Sequence, residues 1–340
     1  MRPTFQPFLV NDPFHDPCLY INFLFDDRAI IFDLGDIHAL SPKEVLKIGH
    51  GFISHTHMDH FAGFDRLLRL VLGRDKTIHL FGPENFLNNI EGKLSGYTWN
   101  LTHNYAESLT IRATEVRPDG LRTRTYRCRE RFYADDSDMD RPFTHQLLSE
   151  PGFSVSTIIL DHDIPCLGFR LDERFHINIK KNALAELGLE PGPWLTDFKQ
   201  RLYSGDNENA TIDVRRGYQQ HRFRIGELAK KIALITPGQT ITYITDVVWH
   251  EPNEQKIARF AKNSDHLFIE AHFLDKDHET ARAKHHLTAG QAGRIAGLSG
   301  ARRMTTFHYS PRYTDQGDEI EKEARLAYEE FRGTGDSVVM

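Results

Sequence analysis

The segment His55-Thr56-His57-Met58-Asp59-His60 packs three imidazoles and a carboxylate into six residues. Neutral imidazole and carboxylate are ligands for a borderline divalent ion such as zinc. If residues 48–54 form a strand, His55 and His57 leave its end pointing the same way, because strand side chains repeat every two residues. Asp59 and His60 then fall on the turn beyond. Four ligands so close in sequence cannot all reach one tetrahedral ion, so the hexad supplies two half-sites that need partners from elsewhere. A polar strand end with solvated histidines is the competing reading, and it leaves so long and coherent a cluster unexplained.

The elements that must carry such a site follow from hydrophobic periodicity. Apolar runs at 19–25 and 29–32, split by Asp26-Asp27-Arg28, predict a hairpin of buried strands, closed by the turn Asp33-Leu34-Gly35-Asp36. Phe64, Leu67, Leu68, Val71 and Leu72 mark one face of a helix directly after the hexad. A strand at 77–81, a short helix entered through Pro83 and a strand at 109–116 continue the alternation, which argues for sheets covered by helices. Strands at 155–160, 240–245, 266–269 and 304–307 run into Asp161-His162-Asp163, Asp246, Glu270-Ala271-His272 and His308. Helices are expected at 253–262, at 289–298 behind an N-cap at Thr288, and at the end of the chain with Ile320, Ala324, Ala327, Tyr328 and Phe331 on one face. Pro191-Gly192-Pro193 reads as a turn between a helix at 183–189 and a second one carrying Leu195, Phe198 and Leu202.

With 340 residues, one large domain with insertions at about 119–150 and 172–225 is the expected organisation. The net charge of −6 exerts no global pull on nucleic acid, so any RNA-binding surface has to be a local patch. One basic stretch carries Arg122, Arg124, Arg127, Arg129 and Arg131 and is followed by Asp135, Asp136, Asp138 and Asp140. It reads as an inserted hairpin whose arginines either hold phosphates or, more commonly, pair with the acidic loop. Cys18, Cys128 and Cys166 are too few and too far apart for a disulfide framework, and none lies near the hexad. The chain shows no apolar run of about 18 residues, and Arg2 is followed at once by Pro3 rather than by an apolar leader. A soluble cytoplasmic protein is the expectation.

His-x-His-x-Asp-His after a strand resembles the metallo-β-lactamase superfamily, which implies an αββα sandwich with metal at the strand ends. The acidic-Gly turn at Asp33-Leu34-Gly35-Asp36 resembles the one before the hexad there, where the acidic residue braces the site. Strand then Asp161-His162, followed by Gly168-Phe169-Arg170, and the stretch Leu187-Gly188-Leu189-Glu190-Pro191-Gly192-Pro193-Trp194 with a basic helix behind it, resemble tRNase Z in particular. That resemblance implies that His55, His57 and His162 hold one ion, that Asp59, His60 and His308 hold the other, and that Asp246 bridges them. Two zinc ions are expected, with manganese or iron as alternatives. Such ions, roughly 3.5–4 Å apart, clamp an in-line displacement and lower a shared water toward a pKa near 7, with Asp59 orienting that water. His285-His286-Leu287-Thr288 resembles the His-Ser-Thr motif and Glu270-Ala271-His272 the Glu-Ala-Thr motif. This implies His286 as the general acid paired with Glu270, with His285 and His272 as competitors. Lys199, Arg201 and Arg312 are the candidate substrate contacts.

The chain departs from that family in three places. Asn11-Asp12-Pro13-Phe14-His15-Asp16-Pro17 stands where a glycine-rich loop is expected, Ile269 where histidine is common, and His272 where threonine is common. The expected function is a metal-dependent phosphodiester hydrolase, removing the 3′ trailer of a tRNA precursor and working alone or as a homodimer. The rivals are a dinuclear hydrolase of a small ester, lactone or cyclic phosphodiester, and a catalytically idle RNA-binding relative.

Overall fold

A computed structural model describes residues 4–135, 139–216 and 219–333, and the chain forms two compact units. The larger comprises residues 5–147, 156–170 and 241–340, and the smaller residues 1–4, 148–155 and 171–240.

The larger unit is built on two sheets. The first keeps chain order across eight strands: Phe5–Leu9, Leu19–Phe23, Ala29–Phe32, Ile48–Phe52, Lys76–Gly82, Leu109–Val116, Leu121–Arg127 and Met139–Arg141. Its middle four are parallel, and a parallel strand covered on both faces reads as a continuous apolar run. Ala29–Phe32 is the clearest case. Ile31 joins a cluster under the helices Pro42–Lys47, Phe64–Val71 and Phe86–Ser95. Phe32 points the other way, onto Phe52, Phe169 and Tyr243 with ring centroids at 5.5, 5.4 and 5.8 Å. Each such buried ring contributes about 1.5–3 kcal/mol.

Phe169 and Tyr243 belong to the second sheet, ordered Met304–Phe307, His266–Glu270, Thr240–Ile244, Pro165–Glu173, Phe153–Asp161 and Gln146–Ser149. Its far face is covered by Glu251–Phe260, Ala289–Ser299 and Gly317–Phe331, which bury Ile257, Ile295 and Ile320. Helices, sheet, sheet and helices make the four layers expected of the sandwich. Thr288 caps its helix as anticipated, in a reciprocal box with Gln291.

Where the elements differ from expectation, the cause is local. Ile48–Phe52 stops short of Ser54, because the Ser54 N–H donates to the Asp33 carboxylate at 2.6 Å instead of to a neighbouring strand. Phe5–Leu9 was not anticipated; Pro7 interrupts its pattern, yet it sits at a sheet edge where proline is tolerated. The arginines of Leu121–Arg127 are engaged: Arg124 meets Glu91 at 2.8 Å, Arg127 meets Asp135 at 2.7 Å, and Arg122 lies 4.0 Å from Asp140. Asp136 and Asp138, read as part of the acidic loop, lie outside the described residues.

The smaller unit pairs Phe175–Ile179 with Ala233–Pro237 and Thr211–Arg216 with Gln219–Arg224. Its helices are Lys181–Glu186, Trp194–Ser204 and Ile225–Ile232. Leu184, Phe198, Val214 and Leu228 are among the residues of its core. The Pro191-Gly192-Pro193 turn links the first two helices, and the Trp194 indole N–H donates back to the Glu190 carbonyl at 3.0 Å.

Two helical glycines of the larger unit should respond with opposite signs to alanine. A Cβ on Gly293 would lie 2.0 Å from the Ala324 carbonyl oxygen, whereas one on Gly92 would meet nothing within 4 Å. Overpacking costs about 1–3 kcal/mol, while alanine gains up to about 1 kcal/mol over glycine in a helix. Gly293→Ala is therefore expected to lower the urea midpoint and Gly92→Ala to raise it.

Candidate metal centre and active site

The hexad is held from beneath by one carboxylate. Asp33 follows Ala29–Phe32 with φ of 59° and is fully buried. Besides the Ser54 N–H it accepts the Ser54 hydroxyl, the Tyr243 hydroxyl and His60 Nδ1, each at 2.9 Å. A buried carboxylate is tolerable only when its lone pairs are filled in this way. Gly35 lets the loop come down onto this brace, since a Cβ there would sit 2.4 Å from the Asp59 carbonyl oxygen. His55 leaves the strand end fully buried, and His57 precedes the short helix Met58–Phe61.

Partners arrive from other strand ends. His55, His57, His162 and Asp246 present ligand atoms all within 4.8 Å of one another, and Asp59, His60 and His308 do the same. Asp246 faces both groups. Its Oδ2 lies 3.6 Å from the Nε2 atoms of His55 and His162. Its Oδ1 lies 3.4 Å from His60 Nε2 and 2.8 Å from His308 Nδ1. Asp59 Oδ2 stands 3.4 Å from His60 Nε2 and 3.3 Å from His308 Nε2. His162 is aimed by its other nitrogen, which donates to the His285 carbonyl at 2.7 Å.

The donor set fits divalent ions. His60 Nε2 and His308 Nδ1 are buried, and neither hydrogen-bonds to any described residue, an arrangement that costs free energy unless something takes the lone pairs. The carboxylates around them call for positive charge at each ring, a proton or an ion. Burial alone would strip His60 and His308 of their protons, but Asp246, helped by Asp33 at His60, outweighs it and holds both well above the ordinary imidazole pKa. Burial would raise Asp246 and Asp59, yet the same histidines hold both carboxyls below the usual range. His55 and His162 go the other way, pushed down chiefly by burial and so left neutral, as a ligand must be.

Beside this cluster Glu270 Oε2 lies 2.9 Å from His286 Nδ1, while Oε1 accepts the Val247 and Leu287 N–H groups. Burial lowers the His286 pKa, but Glu270 more than offsets it and leaves it raised; Glu270 itself, despite burial, is brought down to about 2 by His286.

No protein-family model matches the chain. It is similar to the ribonuclease Z of Deinococcus radiodurans, with 30% identity over 289 residues that span 84% of this chain and 83% of the relative. The chain belongs to the ribonuclease Z family. A ribonuclease Z of Pyrococcus furiosus is 25% identical over 306 residues, covering 85% of this chain and 79% of its own. Among solved structures, the metallo-β-lactamase fold protein YhfI of Bacillus subtilis aligns with a TM-score of 0.52 and 16% identity, over 92% of this chain and 86% of that one. The short form of human tRNase Z aligns with a TM-score of 0.50 and 16% identity, over 92% and 93%. The fold is thus that of the metallo-β-lactamase proteins.

For a ribonuclease Z relative, the sequence-derived residues are brought together completely at the centre: all seven proposed ligands meet there, and Glu270 pairs with His286. Of the competitors, only His272 stays with that pair, its ligand atom within 4.8 Å of those of Glu270, His286 and His308. His285 contributes its carbonyl to His162, while the His272 ring stacks on His286 at 4.0 Å and 11°. The proposed substrate contacts are less free than expected. Arg312 pairs with Asp277 at 3.2 Å. In the smaller unit Arg201 pairs with Asp197 at 3.1 Å, and Lys199 is half-buried, with its pKa lowered by that burial. One expectation is corrected: Cys166, distant in sequence, brings its Sγ to 3.9 Å from His55 Nδ1. The thiol stays protonated, since burial and then Asp246 push its pKa up. Sequence reasoning also missed Ser54 and Tyr243; only their places beside the hexad and before Asp246 could have signalled them.

Because Asp246 faces both groups and His162 only one, elemental analysis should separate them. Asp246→Ala is expected to weaken metal binding at both groups, and His162→Ala mainly at the group of His55 and His57. Equal content in the two variants would refute the shared role of Asp246.

Proposed function

We propose that this chain is a dinuclear zinc phosphodiesterase that removes the 3′ trailer of tRNA precursors, as a cytoplasmic enzyme whose single domain carries residues 119–150 and 172–225 as insertions and works as a homodimer. The observation that carries the reading is the Asp246 carboxylate, which offers one oxygen to each of two ligand groups beside the Glu270–His286 pair. The names of its relatives, ribonuclease Z and human tRNase Z, support the substrate. No helix among the described residues is long and apolar enough to cross a membrane.

His55, His57, His162 and Asp246 would hold one ion, and Asp59, His60, His308 and Asp246 the other. Bound there, the ions supply Lewis acidity to a phosphoryl oxygen and hydroxide at neutral pH. Asp59 orients the attacking water. As the water oxygen bonds to phosphorus, the phosphorus–oxygen bond to the leaving ribose breaks, and that ribose oxygen needs a proton. His286 supplies it from Nε2, because Nδ1 is committed to Glu270. Glu270 fixes the tautomer and, by raising the pKa, keeps the proton available. Lys199, Arg201 and Arg312 contact RNA phosphates.

The pairing of Arg201 with Asp197 and of Arg312 with Asp277 favours the small-diester alternative, since both guanidiniums must leave a partner to hold RNA. Purified protein incubated with a tRNA precursor should cut once, at the trailer, and lose that activity to a chelator. Brisk turnover of small diesters without trailer cleavage would hand the case to the alternative.

His286→Ala is expected to slow diesters with alkoxide leaving groups by about 10²–10⁴ and a nitrophenyl diester far less; equal losses would make His286 a binding residue. Precursor affinity should fall with salt by about 0.9 log units per log salt for each duplex phosphate contacted, and Lys199→Ala with Arg201→Ala should flatten that slope. A slope unchanged by the double variant would remove both residues from the interface.

A further inference from the structure

His272 has no task in this chemistry, yet its placement is specific. Its ring stacks on His286 with centroids 4.0 Å apart and planes at 11°, and meets His308 edge-on at 4.8 Å. Nδ1 lies 2.7 Å from the His308 carbonyl oxygen. A carbonyl only accepts, so Nδ1 carries the hydrogen and the neutral ring has a bare acceptor at Nε2. His286 is tied through Nδ1 as well. Two stacked, half-buried imidazoles therefore each have Nε2 left over: one to donate, the other able only to accept.

An acceptor next to the acid that protonates a leaving oxygen is useful where that oxygen has a hydroxyl neighbour. In a nucleic-acid diester the 3′-oxygen has one in RNA, the 2′-hydroxyl on the adjacent carbon, and the 5′-oxygen has none. The 2′-hydroxyl is also the group that distinguishes RNA from DNA. We propose that His272 is a specificity residue, accepting a hydrogen bond from the 2′-hydroxyl of the nucleotide on the 5′ side of the scissile phosphate. The proposal rests on the hydrolase reading above, in which the bond that breaks is phosphorus to O3′. Hydroxide bonds to phosphorus through its oxygen, the electron pair of the broken phosphorus–oxygen bond goes to O3′, the His286 proton follows it, and the 2′-hydroxyl stays intact on His272. The products are a 3′-hydroxyl and a trailer with a 5′-phosphate.

The test compares two tRNA precursors that differ only by a 2′-deoxy substitution at that nucleotide, cut by wild type, His272→Phe and His272→Gln. Phenylalanine keeps a flat ring for the stack but has no acceptor, whereas glutamine restores one. Wild type should prefer the ribose precursor about tenfold, the worth of one neutral hydrogen bond. His272→Phe should lose the preference, and His272→Gln should recover part of it. Should His272→Phe not fold, a 2′-fluoro precursor, which cannot donate, is expected to match the deoxy substrate with wild type. The proposal is overturned by wild type cutting both precursors equally, by His272→Phe slowing both by the same factor, or by a 2′,3′-cyclic phosphate end. Failure of wild type to cut the ribose precursor at all would sink the parent reading and this one with it, whereas equal cutting of both sinks this one alone.

Discussion

The Asp33 carboxylate is the interaction on which the rest of the centre depends. It is fully buried, where a lone charge would cost several kcal/mol, and it is stable there because the Ser54 N–H, two hydroxyls and an imidazole fill its lone pairs. Those four donors come from the hexad segment and from Tyr243 on the other sheet, so satisfying the charge also fixes where the sheets and the metal loop meet. By taking His60 Nδ1, the same carboxylate leaves Nε2 facing Asp246. Removing Asp33 would thus free the loop, unfix the His60 tautomer and orphan the Tyr243 hydroxyl together.

The centre is held against two other costs. Asp33, Asp246, His285 and His308 adopt positive φ of 59°, 38°, 60° and 61°, a conformation that costs a non-glycine residue of order 1–3 kcal/mol. Asp33, Asp59, Asp246 and Glu270 also crowd four carboxylates around the histidines. Cations relieve the second cost directly. Anything that binds the folded state alone stabilises it in proportion to the logarithm of its concentration over Kd, so the strained turns are sustained by the packed sandwich and the charge by what the ligands hold.

Much of the sandwich could be read from sequence because its strands are buried on both faces and its helices carry one-sided stripes; 109–116 and 304–307 match the observed strands residue for residue. Of the seven proposed ligands, His55, His57, His162, Asp246 and His308 were legible because each follows a strand, Asp59 and His60 because they close the hexad on the short helix Met58–Phe61, and their grouping was implied by the tRNase Z resemblance. What escaped has physical causes. Phe5–Leu9 is an edge strand whose alternating burial is masked in the sequence, because Pro7 stands among its inward positions and Phe8 among its exposed ones, and Thr211–Arg216, Gln219–Arg224 and Ala233–Pro237 are strands whose mostly polar or exposed side chains resemble a loop. Cys166 and Tyr243 approach the hexad only through folding of distant segments, which no spacing within a motif encodes. Of the arginines of Leu121–Arg127, Arg127 and Arg122 lie by the acidic residues that follow, as expected, whereas Arg124 pairs with Glu91.

Four histidines of the site obey one rule, and the rule assigns their chemistry. Each gives Nδ1 to an acceptor of the protein: His60 to Asp33, His286 to Glu270, His162 to the His285 carbonyl and His272 to the His308 carbonyl. A carboxylate acceptor stabilises the protonated ring: Glu270 raises the pKa of His286, and Asp33 adds to the larger effect of Asp246 at His60. A carbonyl is neutral and loses to burial, so His162 is lowered and His272 falls to about 3. Rings of the first kind carry positive charge, or an ion in its place, toward Asp246. Rings of the second kind offer a lone pair. His162 turns it beside Asp246, and His272, stacked on His286, keeps it for the hydroxyl proposed above.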